Sequence, residues 1–164
     1  MAAAAWLRCI AAAVLCGVSL SAVAADFEGT VTHVSDGDTL WVRPAHGGPA
    51  RKVRLQGIDA PEICQPHGVR SRDALAARVL HRRVRVASQA RDSWQRTLGQ
   101  VSLEGRDLGD WMVSHGHAWS YRYRGHPGPY RVQQTRARAA RLGLWSDPAP
   151  IEPRQFRQWH GSCQ

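Results

Sequence analysis

Beyond its first 25 residues, this 164-residue chain has no apolar run long enough to cross a bilayer, only one lysine and only two cysteines. A spanning helix needs roughly 20 consecutive apolar residues, so the body of the chain is not built from membrane helices. There is no long internal repeat and no obvious linker, which leaves one compact domain. The pair His115-Gly-His117 has no Cys/His partners at zinc-site spacing. A structural zinc needs about four converging ligands, so these residues are expected to be surface or loop histidines.

What is present is basic. Of 22 Lys+Arg residues, Lys52 alone is lysine, and the formal net charge is +9. Arginine offers a rigid fork of donors that matches phosphate oxygens, and a positive surface favours polyanions such as nucleic acid. The opening segment differs from the rest. Arg8 precedes an apolar stretch from Cys9 to about Leu20, and Ser21-Ala22-Val23-Ala24-Ala25 follows. The pattern predicts a signal peptide over residues 1–25, cut after Ala24 or Ala25, with an uncleaved anchor as the alternative. The mature domain, residues 26–164, is then expected to be secreted or periplasmic. Losing Arg8 takes the charge from +9 to +8. Cys64 and Cys163 remain, and an oxidising compartment favours one disulfide between them over two free thiols. Closing so long a loop is worth roughly 4–5 kcal/mol in the chain-entropy description, less any strain.

Hydrophobic periodicity and turn chemistry give the elements. Phe27 to Val34 alternates as a strand, Ser35-Asp36-Gly37-Asp38 reads as a hairpin turn, and Thr39 to Arg43 returns. Arg51 to Gln56 is a third strand with one wet face. Gly68 to His81 has helical spacing, Arg82 to Ala87 and Thr97 to Leu103 are strands, and Leu108 to His115 is a short helix. Tyr130 to Arg141 is a basic helix ended near Gly143, and Asp147 to Pro153 is a Pro-rich extended tail. The expected fold class is α+β: a five-stranded OB-type Greek-key β-barrel with about three helices.

Two segments put carboxylates beside turns: Asp36-Gly37-Asp38-Thr39 and Asp59-Ala60-Pro61-Glu62. Arg54 lies between them on a strand, and Arg96 just precedes the fifth strand. Hard cations take oxygen ligands, so Asp38, Asp59 and the Ala60 carbonyl form a candidate Ca²⁺ site if the turns meet in space. Few protein ligands imply weak binding, on the order of 0.1–1 mM. A metal and two arginines can neutralise the charge that builds on a phosphodiester under attack, and Glu62 is a candidate to orient or deprotonate the water.

The tandem of Val34-Ser-Asp-Gly-Asp-Thr39 and Arg54-Leu-Gln-Gly-Ile-Asp59-Ala-Pro-Glu62 resembles the two best-known motifs of the staphylococcal-nuclease-like (thermonuclease) family. Asp92 to Gly99, Gly116 to Tyr121 and Gly143-Leu-Trp145 resemble later signatures, so the similarity spans Phe27 to Arg157. The resemblance implies Ca²⁺ ligation by Asp38, Asp59 and Ala60, with Asp36 as an acidic residue behind them. It implies a catalytic trio of Arg54, Glu62 and Arg96, acting on DNA and RNA to leave 3′-phosphates. Trp94 and Gln95 depart from the Tyr-Gly that usually precedes the third-motif arginine, which bears on how Arg96 is aimed. Trp94, Tyr121 and Tyr123 are candidates to stack on bases, which favours single-stranded or frayed substrate. Arg122 and Arg124 interleave the two tyrosines. Monomer is the default expectation. The competing reading is an OB-type module that binds nucleic acid without chemistry.

Overall fold

The computed structural model describes residues 26–123 and 125–163. The expected signal peptide and Arg124 lie outside them. Strand β1 (Phe27–Asp36) buries alternate residues, and β2 (Thr39–Pro44) returns against it with Val31 opposite Val42 and Asp36 opposite Thr39. Strand β3 (Arg51–Leu55) follows, and then a two-residue β4 (Ile58–Asp59). Helix α1 (Gly68–Val79), β5 (Arg83–Arg91) and β6 (Thr97–Leu103) complete the barrel. A short β7 (Arg106–Asp107) leads into α2 (Leu108–Ser114), β8 (Trp119–Ser120), α3 (Arg131–Ala139), a 3-10 turn at Gly143–Ser146 and α4 (Pro153–His160).

The sheet order is β3-β2-β1-β5-β6, and a parallel pairing of β3 with β6 closes it into a five-stranded mixed barrel. The expected architecture holds, with four α-helices among the described residues rather than about three. The missing one is α4: its single buried apolar side chain beyond Pro153 is Phe156, too little for a helical period to show.

Inward-facing aliphatics fill the barrel. Val31, Leu40, Val42, Val53, Val86, Leu75, Val79, Met112 and Val113 have no solvent exposure. Each such side chain contributes about 1.5–3 kcal/mol by leaving water. A smaller cluster sits at the other end, where Trp119 meets Trp145 edge-on at 4.3 Å beside Ala137 and Leu144. It anchors β8, whose Ser120 N–H donates to Gln134 Oε1 at 2.7 Å. Strand β8 pairs with β4, Asp59 opposite Trp119, so this second cluster fixes the height of Asp59 over the barrel.

His115 and His117 follow α2 on a loop, as expected, although His117 is withdrawn from the surface. His117 stacks on Trp111 at 5.7 Å and near His67 at 6.0 Å, half-buried between α1 and α2. Burial, with His67 and His115 adding to it, pushes its pKa down to about 4. Among the described residues no helix is long and apolar enough to cross a membrane.

Candidate active site

The Asp-Gly turn between β1 and β2 is tight because Asp36 Oδ1 accepts the Asp38 N–H at 3.0 Å. Its glycine is required by packing: a Cβ on Gly37 would lie 1.9 Å from Ser71 Oγ on α1 and 2.7 Å from Ala60 Cβ. Asp38 is thereby driven inward to 5% exposure. Its carboxylate accepts from Thr39 Oγ1 at 3.0 Å and, across the gap between the two acidic segments, from the Ala60 N–H at 2.8 Å.

Asp59 is equally enclosed, at 4% exposure. The guanidinium of Arg54 joins the two: it pairs with Asp38 Oδ2 and with Asp59 Oδ1, the latter at 3.0 Å. It also donates to the Ile58 carbonyl at 3.3 Å. The two carboxylates are therefore neighbours, separated by no more than one guanidinium.

Burial dominates the electrostatics. Desolvation raises the Asp38 carboxyl to about 7, against the opposing pull of Arg54 and with Asp36 adding to the rise. Asp59 is raised by burial too, partly offset by Arg157 and Arg54. Burial opposes the charge on Arg54, but Asp38, Asp59 and Asp36 outweigh it and hold the guanidinium protonated. Two desolvated carboxylates held side by side repel one another and are stabilised by added positive charge. All the convergent donors are oxygens, which suits a hard divalent cation. Among the described residues no group of three or more His, Cys, Asp or Glu forms a closed metal cage. The arrangement fits an open site of Asp38, Asp59 and the Ala60 carbonyl, completed by water.

Glu62 sits on the loop that follows. Its N–H donates to Gln65 Oε1 at 3.1 Å, its carbonyl accepts the Gln65 N–H at 2.8 Å, and Gln65 Nε2 reaches the Ile151 carbonyl at 2.6 Å. The Cys64–Cys163 disulfide is formed, with Cα atoms 5.8 Å apart, within the usual span. It ties the tail after α4 to this loop, as expected from the sequence.

The sequence reading missed Arg157. From α4 it donates to Glu62 Oε1 at 2.7 Å and to Asp59 Oδ2 at 3.0 Å. Burial opposes its charge, but the bonds to Asp59 and Glu62 prevail and raise its pKa. The available signal was Pro153, a favoured first helical residue, with Gly161 beyond the end.

Arg96 is held on the loop before β6. Its Nε donates to Asp92 Oδ2 at 2.7 Å and its guanidinium lies 5.2 Å from the Trp94 ring centre. Three bonds from Arg96 and Trp94 to Asp92 outweigh desolvation and hold that carboxyl below its usual range. Among the described residues no ion pair joins Arg96 to Asp38, Asp59 or Glu62. Strand β6, which follows Arg96, does run beside β3, with Leu98 next to Arg54. Gln95, in the position where the motif usually has glycine, adopts φ +61°.

Trp94 is 75% exposed, Tyr123 58% and Tyr121 41%. Tyr121 lines a cleft of about 220 Å³ that starts at Asp59 and continues past Arg122, Glu152 and Arg154. Arg122 pairs with Glu152 at 2.8 Å across it.

Residues 52–147 match the family described as staphylococcal nuclease homologue. A micrococcal nuclease of Shigella flexneri is 39% identical over 163 residues, spanning 93% of this chain and 92% of that protein. An uncharacterized endonuclease of Haemophilus influenzae is 41% identical over 128 residues, 78% of this chain and 71% of its own length. An uncharacterized endonuclease of Escherichia coli is 38% identical over 130 residues, 79% and 84% respectively.

Proposed function

Since the chain belongs to the staphylococcal nuclease homologue family, a group of phosphodiester hydrolases acting on nucleic acid, we propose that it is a calcium-dependent nuclease cutting both DNA and RNA. The observation that carries this reading is the convergence of Asp38 and Asp59 on the Arg54 guanidinium, with Glu62 bonded into the same cluster through Arg157.

Asp38, Asp59 and the Ala60 carbonyl would hold the cation, with Asp36 steadying the turn behind Asp38. When bound, the cation supplies Lewis-acid neutralisation of charge developing on the phosphoryl oxygens. Glu62 orients a water and accepts its proton as the water oxygen attacks phosphorus in line. The bond from phosphorus to the 5′-oxygen breaks and that oxygen takes a proton from solvent water, leaving a 3′-phosphate and a 5′-hydroxyl. Arg54 and Arg96 offset charge on the phosphoryl oxygens, from strand β3 and from the loop before β6 respectively.

Tyr121 in the cleft and the exposed Trp94 and Tyr123 stack on bases, which favours single-stranded or frayed substrate. The mature domain's net charge of +8, the chain's +9 less Arg8, attracts the polyanion. The disulfide and the residue 1–25 pattern support export to the periplasm or medium, where the chain acts as a monomer without stable membrane association.

The test is digestion of denatured DNA and of RNA in Ca²⁺, with and without a chelator, with end-group analysis of the products. Glu62→Gln and Arg96→Ala are expected to lose orders of magnitude in rate while remaining folded. Cleavage that survives chelation or Asp38→Ala would reject the mechanism. Tight binding without cleavage in any divalent metal would favour the non-catalytic module.

A further inference from the structure

Arg157 takes no part in the mechanism above. Its guanidinium nevertheless sits inside the carboxylate cluster. Nη1 donates to Glu62 Oε1 at 2.7 Å and to Asp59 Oδ1 at 3.3 Å, and Nη2 donates to Asp59 Oδ2 at 3.0 Å. Asp59 Oδ1 also accepts from Arg54 Nη2 at 3.0 Å. Both oxygens of Asp59 are thus engaged by guanidiniums. A divalent cation that uses Asp59 competes with these guanidiniums for its lone pairs and is repelled by their charge, so binding favours displacement of one arginine.

Arg54 is the harder to move. Its side chain is 16% exposed, and it is bonded to Asp38 and to the Ile58 carbonyl as well. Arg157 is 32% exposed, and its ion pairs are with Asp59 and Glu62. Arg157 is the one to yield.

Helix α4 decides where the displaced group can go. Pro153 and Phe156 are buried, and the Ile151 carbonyl just before the helix is held by Gln65. Just past the helix, Cys163 is bonded to Cys64, a near neighbour of Glu62 in sequence. A helix pinned at both ends cannot carry Arg157 away, so only the side chain can swing. The guanidinium then stays within a side-chain length of Glu62, on the solvent side. A phosphodiester attacked with the help of Glu62 must lie there, and its two non-bridging oxygens, which share one negative charge, suit a two-pronged donor.

We propose that Arg157 is a third arginine of the site, which neutralises Asp59 and Glu62 without metal, releases Asp59 to an incoming divalent cation and then binds the substrate phosphodiester. This rests on the reading of Asp38 and Asp59 as cation ligands. The whole disulfide-bonded chain is titrated with Ca²⁺ by calorimetry, as wild type and as Arg157→Gln. Binding of a labelled single-stranded oligonucleotide in Ca²⁺ is then measured in a Glu62→Gln background, where cleavage is suppressed.

Losing one charge-assisted pair predicts Ca²⁺ affinity about tenfold tighter and oligonucleotide affinity about tenfold weaker in Arg157→Gln. Arg157→Lys restores part of the competition with Ca²⁺ but little of the oligonucleotide affinity, because an ammonium lacks the fork. Unchanged Ca²⁺ affinity in Arg157→Gln, with the wild type binding normally, overturns the proposal and leaves the cation site standing. Tighter Ca²⁺ with unchanged oligonucleotide affinity overturns it too, since Arg157 is then only a plug. A wild type that binds no Ca²⁺ refutes the cation site itself, a separate and recognisable result.

Discussion

Gly68 opens α1, away from the reacting groups, yet its substitution should reach Glu62. A Cβ at Gly68 would lie 1.8 Å from the Glu62 carbonyl oxygen, 2.8 Å from its carbonyl carbon and 3.0 Å from the Ile63 carbonyl carbon. These are main-chain atoms, so no side-chain rotation relieves the overlap. The Glu62 loop must back away by well over an ångström. It is held by Gln65, whose N–H bonds the Glu62 carbonyl at 2.8 Å and whose side chain bonds Ile151 at 2.6 Å, and by the disulfide at Cys64. Overpacking of this kind costs about 1–3 kcal/mol, which for a domain of this size lowers Tm by several degrees. A displacement of about 1 Å at a reacting group can cost on the order of 100-fold in rate. Gly68→Ala is therefore expected to melt earlier and to digest denatured DNA up to about 100-fold more slowly, assayed far below its own Tm. Gly105→Ala is the control. It has φ +76° and no atom within 4 Å of the new Cβ, so it should lose about 1 kcal/mol of stability and keep the full rate. A Gly68→Ala protein with wild-type rate at equal folded fraction would refute the link between α1 and Glu62.

Gln95→Gly should stabilise the fold by up to about 1 kcal/mol in urea melts. A left-handed non-glycine backbone costs about 1–2 kcal/mol, and the extra freedom of unfolded glycine returns about 0.5–1. Removing the disulfide with Cys64→Ser/Cys163→Ser should cost about 2–5 kcal/mol, read from the same melts, and wild type under reductant should shift equally. His117, lowered by burial and by His67 and His115 from the ordinary 6.5 to about 4, favours the fold while neutral. The unfolded chain takes up this proton first, so the stabilisation is complete above pH 6.5 and fades as pH falls toward 4. His117→Phe should flatten that limb of the Tm–pH curve, and a limb of unchanged slope would assign it to other groups.

The sequence alone was enough for the barrel's strands and for half of the site, whereas the closure of β3 against β6 is tertiary. Alternation in Phe27 to Val34 and Thr39 to Arg43 determines which faces turn inward, and Asp36-Gly37-Asp38 can do little but turn between them. Arg54 and Asp59 are close in the chain, so their meeting is nearly local. Tertiary structure alone decided that Asp38 lies against Ala60, that Gly37 and Gly68 are close-approach positions, and that burial raises Asp38 to about 7. It alone placed Arg157 on Glu62, 95 residues away. A helix as short as Pro153–His160, with Phe156 as its buried anchor, carries almost no periodic signal of its own. Its position is set by a disulfide and by contacts to distant loops. Periodicity reports which side of an element is buried, and it says nothing about which distant charge that element will meet.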